Sequence, residues 1–320
     1  MTNNITPLKD IASELLQKDN YLILTHRHPD GDTLGSAFAL CRALRKLDKN
    51  ARVVCSDVIP DSFDFLYDKM DEIIFEPDYI ISVDIANPQL LGEKYEHLAD
   101  RIDICIDHHH SNNVVASLRY VDGDTAANCE IIYDLLKLME VEFDKDIAAC
   151  LYTGISTDTG CFKFSNTTPR SHKIAAELME YGFDLEKINY RMFEEKTVSR
   201  VLLESLIMKN MEYHFFGRCC VAKVLRNELE KTGAKEDELD GLTGLPRQIK
   251  GVEVGVLIRE QVDSGCRISV RTKAPTDASE ICANFGGGGH VRAAGCTIDL
   301  PIDEAKEELL KVIAKVLGED

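Results

Sequence analysis

The stretch YLILTHRHPDGDTLGSAFAL, residues 21–40, decides the fold. Tyr21–Thr25 is a continuous apolar run, short and rich in side chains that suit a strand buried on both faces. From Leu34 to Leu47 (LGSAFALCRALRKL) the apolar residues recur at helical spacing. Between them lies HRHPDGD, residues 26–32, which places two imidazoles and two carboxylates in one turn. A strand that passes through a polar turn into an amphipathic helix begins a strand–helix–strand crossover.

The same texture repeats downstream. Ala51–Ser56 (ARVVCS), Tyr79–Asp84 (YIISVD) and Arg101–Asp107 (RIDICID) predict further strands. Helices are predicted over Ala126–Met139, Asp146–Asp158, Pro169–Tyr181 and Asp184–Phe193, the third with a Thr-Thr-Pro start. This is the α/β pattern of a parallel sheet with helices on both faces. A mostly helical stretch, Leu185–Glu212, then leads to strands at Tyr213–Val224, Val252–Glu260, Gly265–Thr272 and Cys296–Asp299, with helices at Thr276–Asn284 and Ile302–Leu317. The expected organisation is a first domain over 1–190, a helical linker over 191–212, and a smaller α/β domain with a mixed sheet over 213–320. No Gly/Ser tether separates them, so an ordered connection is expected.

Composition narrows the function. The net charge of −18 opposes the broad basic face that duplex nucleic acid requires. A small phosphate-bearing ligand remains compatible if bound cations and a few local basic residues supply positive charge. Eleven cysteines without a CxxC pair match neither a zinc ribbon nor a disulfide framework, and a reducing cytoplasm is expected. The polar start MTNNITPLKD predicts no signal peptide, and no apolar run is long enough for a membrane span.

The chemistry-bearing residues fall where the predicted strands end. His26, Asp30 and Asp32 follow the first strand, Asp84 ends YIISVD, and Asp107-His108-His109-His110 ends RIDICID. Asp158 lies in GISTDTG at a helix end. Ligands of open parallel sheets bind beyond the carboxyl ends of the strands, so these clusters are expected to converge on one edge. Taken singly, each has an ordinary structural role as a cap, turn former or surface tract. Taken together, carboxylates gathered this closely repel one another unless cations lie among them. Mixed imidazole and carboxylate donors suit manganese, iron, cobalt or zinc. With about six candidate ligands, two divalent ions are expected, which can serve an in-line displacement at phosphorus. Ser36 and Ser156 lack the G-x-S-x-G elbow of a serine nucleophile.

HRHPDGD with the following LGS, VDIANPQLLG, DHHHSN and TGISTDTGCFKFSNT resemble, in order, the motifs of the DHH phosphoesterase superfamily. RISVRTKAPTDASEICANFGGGGHVRAAGC resembles the DHH-associated nucleotide-binding domain. The resemblance spans roughly Leu22 to Ile298, and the two-domain layout is most similar to the bifunctional oligoribonuclease and pAp phosphatase group. It implies His26 and Asp30 on one ion, Asp32, His108 and Asp158 on the other, and Asp84 as the bridge, with Mn2+ as the expected metal. It further implies that Asp107 orients a neighbouring imidazole and that His109 faces the scissile phosphate. Lys163 stands where the family often has Arg, and Lys neutralises a phosphate without gripping it at two points. Asn112 is a further substrate-binding candidate in DHHHSN.

In the second domain, Gly286–His290 is not a Walker loop, since no GK[ST] follows. Gly287, Gly288 and Gly289 nonetheless permit close backbone approach to a phosphate. Arg267 and Arg271 alternate onto one strand face. With His290, they are the expected anchors for a substrate phosphate or base, in a cleft between the domains. The expected activity is hydrolysis of short oligoribonucleotides to mononucleotides, with pAp to AMP as a companion reaction. A phosphodiesterase of cyclic or linear dinucleotides such as pApA is the alternative. An inorganic pyrophosphatase lacks the GGGGH block, and a catalytically dead nucleotide sensor would not need so full a set of ligands. Small nucleotides or short single-stranded RNA are the expected partners, with no duplex, no membrane, and a homodimer left open.

Overall fold

The computed structural model of the chain describes residues 5–235, 238–239, 241–261 and 265–319. It divides into two compact units, Met1–Glu195 and Lys196–Asp320.

In the first unit, β1 (Tyr21–Leu24), β2 (Ala51–Val54), β3 (Tyr79–Val83), β4 (Ile104–Asp107) and β5 (Leu118–Val121) form a fully parallel sheet in the order β2-β1-β3-β4-β5. Alternation along each strand sends side chains to opposite faces. Ile23, Ile81, Val83 and Ile106 join a large core with helices α1 (Leu8–Gln17), α2 (Gly31–Lys46), α3 (Asn128–Leu138), α4 (Lys145–Asp158) and α5 (Pro169–Met179). Leu22, Leu24, Ile80 and Cys105 face the other way and are covered by Leu91, Leu98 and Ile102, in or beside the short helical turns Pro88–Leu91 and Glu96–Arg101. The helix α1 and the sheet edge β5 were among the elements not predicted. Ile11 and Leu15 of α1 are fully buried.

Register levels the strand ends. Leu24 pairs with Ser82, and Val83 pairs with Ile106. The residues just beyond β1, β3 and β4 therefore emerge along one edge. The helix α2 starts at that edge because the Asp30 side chain accepts from the N–H groups of Asp32 and Thr33. Glycines then draw α2 and α4 together. A Cβ on Gly31 would strike Thr157, one on Gly35 the carbonyl of Cys150, and one on Gly154 would strike Cys129 and the Asp32 carboxylate.

The second unit is built on a mixed sheet in the order β10-β11-β9-β8-β7-β6. Its strands are β6 (Met211–His214), β7 (Cys219–Val224), β8 (Val254–Glu260), β9 (Cys266–Thr272), β10 (Gly288–His290) and β11 (Ala293–Ile298). Only β7 and β8 are parallel neighbours. Between α5 and this sheet come α6 (Leu185–Asn189) and α7 (Val198–Lys209); α8 (Arg226–Thr232), α9 (Ala278–Ala283) and α10 (Ile302–Leu317) follow. Helices α9 and α10 cover one face. Leu203 and Ile207 of α7 pack on Ala222, Val224 and Leu257 of the other. The expected linker segment 191–212 thus contains a helix that belongs to the second core. The single strand expected over Tyr213–Val224 is instead a hairpin, broken at Phe215–Gly217. Phe215 and Phe216 turn it with φ of 52° and 53°, a conformation their sequence does not advertise.

Candidate metal centre

Six side chains from four places in the chain meet at the carboxyl edge of the parallel sheet. His26, Asp30 and Asp84 form one group whose donor atoms all lie within 4.8 Å of one another, and Asp32, His108 and Asp158 form a second. Asp84 also groups with His108 and His109, so its carboxylate joins the two sets.

The ring orientations are set by backbone carbonyls. His26 Nδ1 lies 2.8 Å from the carbonyl of Arg27, and His108 Nδ1 lies 3.3 Å from that of Thr125. Each carbonyl selects the tautomer with hydrogen on Nδ1 and leaves the Nε2 lone pair for a cation. His26 Nε2 is 3.6 Å from Asp30 and 3.7 Å from Asp84. His108 Nε2 is 3.4 Å from both Asp84 and Asp158, and 3.7 Å from Asp32. These separations are long for hydrogen bonds and suit atoms that share an ion through bonds of about 2.0–2.2 Å.

Asp84 is 2% exposed, and its Oδ1 has no hydrogen-bond partner among the described residues. A buried carboxylate oxygen left bare is costly unless a cation takes it. The residue also holds the left-handed conformation, φ 57°, with its N–H donated to Ile106 at 3.0 Å. Such backbone strain is worth about 1–3 kcal/mol and collects at functional sites. Asp32 is buried against the start of α3, where the N–H groups of Cys129 and Asn128 donate to its two oxygens at 2.9 and 2.5 Å.

Electrostatics say the same. Burial, followed by the charges of Asp32 and Asp30, pushes Asp84 well above the usual carboxylate range. Burial and Asp32 push Asp158 up to about 7. For His26, burial works downward, but Asp30 and Asp84 carry it up to about 9. Without cations the nest retains protons; divalent ions relieve the same repulsion directly. The donor set therefore fits two metal ions of the borderline class.

Around the nest, His109 Nδ1 is 2.8 Å from Asp107, and the Asn112 amide donates to the other Asp107 oxygen at 2.5 Å. Burial raises Asp107, but the hydrogen bonds from His109 and Asn112 outweigh it, and the carboxyl sits below its usual range. Asn112 is placed differently from the substrate contact expected of it. It is buried, and its amide is spent on Asp107, Ile85 and Arg119. Lys163 is exposed, with its ammonium 6.0 Å from the Phe193 ring.

In the second unit, a groove of about 670 Å³ lies on β9 and β11, lined by Arg267, Ser269, Arg271, Phe285, Gly287 and Gly288. Gly289 and His290 fall outside this lining. Gly288–His290 pairs with Ala293–Gly295 as an edge strand, where a Cβ on Gly289 would strike the backbone of Ala293 and Ala294. His290 is exposed.

Comparison with known proteins matches these two units to two family models: the DHH family N-terminal domain over residues 20–155 and the DHHA1 domain over 217–319. A bifunctional oligoribonuclease and PAP phosphatase of Thermus thermophilus is 35% identical across 92% of this chain and 89% of that protein. The chain belongs to the DHH family. Among solved structures, an exopolyphosphatase-related protein from Bacteroides fragilis shares the fold with a TM-score of 0.84 at 23% identity, covering 100% of this chain and 98% of that one. RecJ from Thermus thermophilus, in complex with Mn2+, matches with a TM-score of 0.56 at 14% identity; 98% of this chain and 54% of RecJ are covered. In this chain the DHHA1 domain follows the DHH domain. No described helix is long and apolar enough to cross a membrane.

Sequence motifs did not reveal the supports of this DHH centre. Gly31, Gly35 and Gly154 set the approach of α2 to α4, and the α3 amides hold Asp32. The only trace in one dimension is a glycine at each point of close approach.

Proposed function

We propose that this chain is a metal-dependent phosphoesterase that hydrolyses short oligoribonucleotides to mononucleotides and converts pAp to AMP. The observation that carries the reading is Asp84, one buried carboxylate common to two imidazole–carboxylate sets. The Thermus relative named for both activities supports the substrate class. Mn2+ is the proposed metal: the mixed nitrogen and oxygen donors suit it, and RecJ of the same fold is known with it.

His26 and Asp30 would hold one ion, and Asp32, His108 and Asp158 the other, with Asp84 between. Bound ions would supply charge neutralisation at the attacked phosphate and its leaving oxygen. The chain's own groups do the rest. Asp107 fixes the His109 ring, which offers Nε2 to the phosphate. Lys163 contributes a point charge, while Arg267 and Arg271 with the amides of Gly287, Gly288 and Gly289, and His290 beside them, anchor a second phosphate or a base. With a net charge of −18, basic groups confined to such sites favour short anions over duplexes. The eleven thiols suit a reducing cytoplasm.

The test is a parallel incubation with Mn2+ and pAp, pApA, a short RNA and pyrophosphate, with products identified. AMP from pAp and mononucleotides from the RNA are expected. Cleavage of pyrophosphate alone, or of nothing, would end the reading.

A further inference from the structure

Beyond Asp158 the chain makes a tight loop, and Phe164 stands on it with 58% of its surface exposed. A single exposed aromatic is ordinary on a protein surface. Its underside is not. Gly160 takes the left-handed conformation, and a Cβ added there would lie within 2.6 Å of Cζ, Cε1 and Cε2 of Phe164, at nearly equal distances from all three. Beyond the ring's edge, the tip carbon would be much nearer than its neighbours. Near-equality places the glycine over the face of the ring. One face of Phe164 is therefore seated on bare backbone, and the exposed surface is the opposite face.

The seat is rigid. Cys161 N–H donates to Ser156 at 2.6 Å, and the N–H groups of Lys163 and Phe164 donate to Thr159 at 2.9 and 3.0 Å. The Asn166 amide ties the loop to the carbonyls of Asp158 and Ala126, each at 3.1 Å. Gly160 is two residues from Asp158, so the backbone under the ring is within about 7 Å of that ligand's own backbone.

We propose that the outer face of Phe164 is a stacking platform for a nucleobase adjoining the phosphate held at the Asp84 nest. The inference rests on the phosphoesterase reading above and adds a base subsite to it. Every base presents a π-face, so a ring already fixed in place binds short RNA with little regard to sequence. A substrate without a base, such as pyrophosphate, gains nothing from it.

The experiment compares the parent with F164L, which keeps apolar bulk, and F164W, which keeps an aromatic face. Substrates are pApA and the corresponding dinucleotide lacking both bases, each with Mn2+. A base–aromatic contact is worth about 1–3 kcal/mol, so F164L should raise KM for pApA roughly 5- to 150-fold with kcat little changed. It should leave the base-free substrate unaffected, and F164W should restore the parent KM. In a binding assay, 2-aminopurine riboside 5′-monophosphate should lose fluorescence on the parent and F164W but not on F164L. Equal behaviour of F164L and parent, or equal loss on both substrates, overturns the platform alone. A parent that cleaves neither substrate overturns the reading beneath it, and the platform with it.

Discussion

His109 and Asp107 share a hydrogen bond of 2.8 Å, and the Asp107 carboxylate is itself clamped by Asn112. The pair commits Nδ1 of the ring to the acid and leaves Nε2 as the nitrogen proposed to meet the phosphate. Asp107 lies outside the candidate ligand groups. Asp107→Asn should therefore free the ring without emptying the nest. Loss of an outer partner of this kind typically costs 10–100-fold. We expect kcat on pAp to fall by about that factor, with two manganese ions per chain still found by elemental analysis. Loss of metal in step with activity would instead make Asp107 a ligand.

Asp84 belongs to both groups of candidate ligands, and its replacement should separate stability from function. Asp84→Asn retains the shape but takes one negative charge from a nest of four carboxylates. In chelator, the variant should unfold at a temperature equal to or above that of the parent, because a buried carboxyl whose ionisation burial and its neighbours oppose is replaced by a neutral amide. With Mn2+ the order should reverse, since metal that binds only the folded state stabilises it in proportion to the binding it retains. Turnover should be nearly absent under both conditions. A parent that gains no stability from Mn2+ would count against the centre.

What could be read from the sequence was whatever repeats along one strand or one helix. The apolar runs at Tyr21–Leu24 and Tyr79–Val83 have nothing else to become, and the polar residues after them must emerge where the strands end. Ile302–Leu317 was equally plain, for its apolar stripe is regular. Positions decided by a distant partner were not legible. β5 is an edge strand only half-buried, so LRYV lacks the continuous apolar signature of its neighbours. α7 resembles a connector until Leu203 and Ile207 meet Ala222 and Leu257. Asn112, next to the histidines, invited a substrate role; only three dimensions show its amide turned inward to Asp107.

Gly154 tests how closely the centre depends on helix packing. A Cβ there would strike both Cys129 and the Asp32 carboxylate. Overpacking of this kind costs about 1–3 kcal/mol. Gly154→Ala should lower the unfolding temperature and also weaken Mn2+ binding, because the strain falls on Asp32, a proposed ligand. A variant that loses stability but binds metal as tightly as the parent would show that Asp32 is held independently of the α2–α4 contact.

Arg271 lies in the groove of the second unit, away from the metal nest in its chemistry as well as in sequence. Arg271→Ala should raise KM for pApA by roughly tenfold, the effect of about 1.4 kcal/mol, while sparing hydrolysis of a p-nitrophenyl phosphodiester. Interactions made equally in the ground and transition states alter KM and leave kcat alone. Equal losses on the two substrates would deny Arg271 an anchoring role.

Asp144 caps α4, the helix that ends in Asp158, by accepting from the N–H groups of Asp146 and Ile147. Lys46 lies 3.3 Å from the same carboxylate. Burial raises the Asp144 pKa, but the Ile147 N–H, Lys46 and the Asp146 N–H outweigh it, and the net shift is downward. A depressed carboxyl pKa contributes stability that is complete above the unfolded value and lost as the pH falls through the folded one. Asp144→Ala should therefore cost about 1 kcal/mol at pH 7. That difference should shrink as the pH is taken below the ordinary carboxylate value of about 3.9. Urea unfolding of the metal-free protein at both pH values checks the sign, and a gap that widened in acid would contradict it.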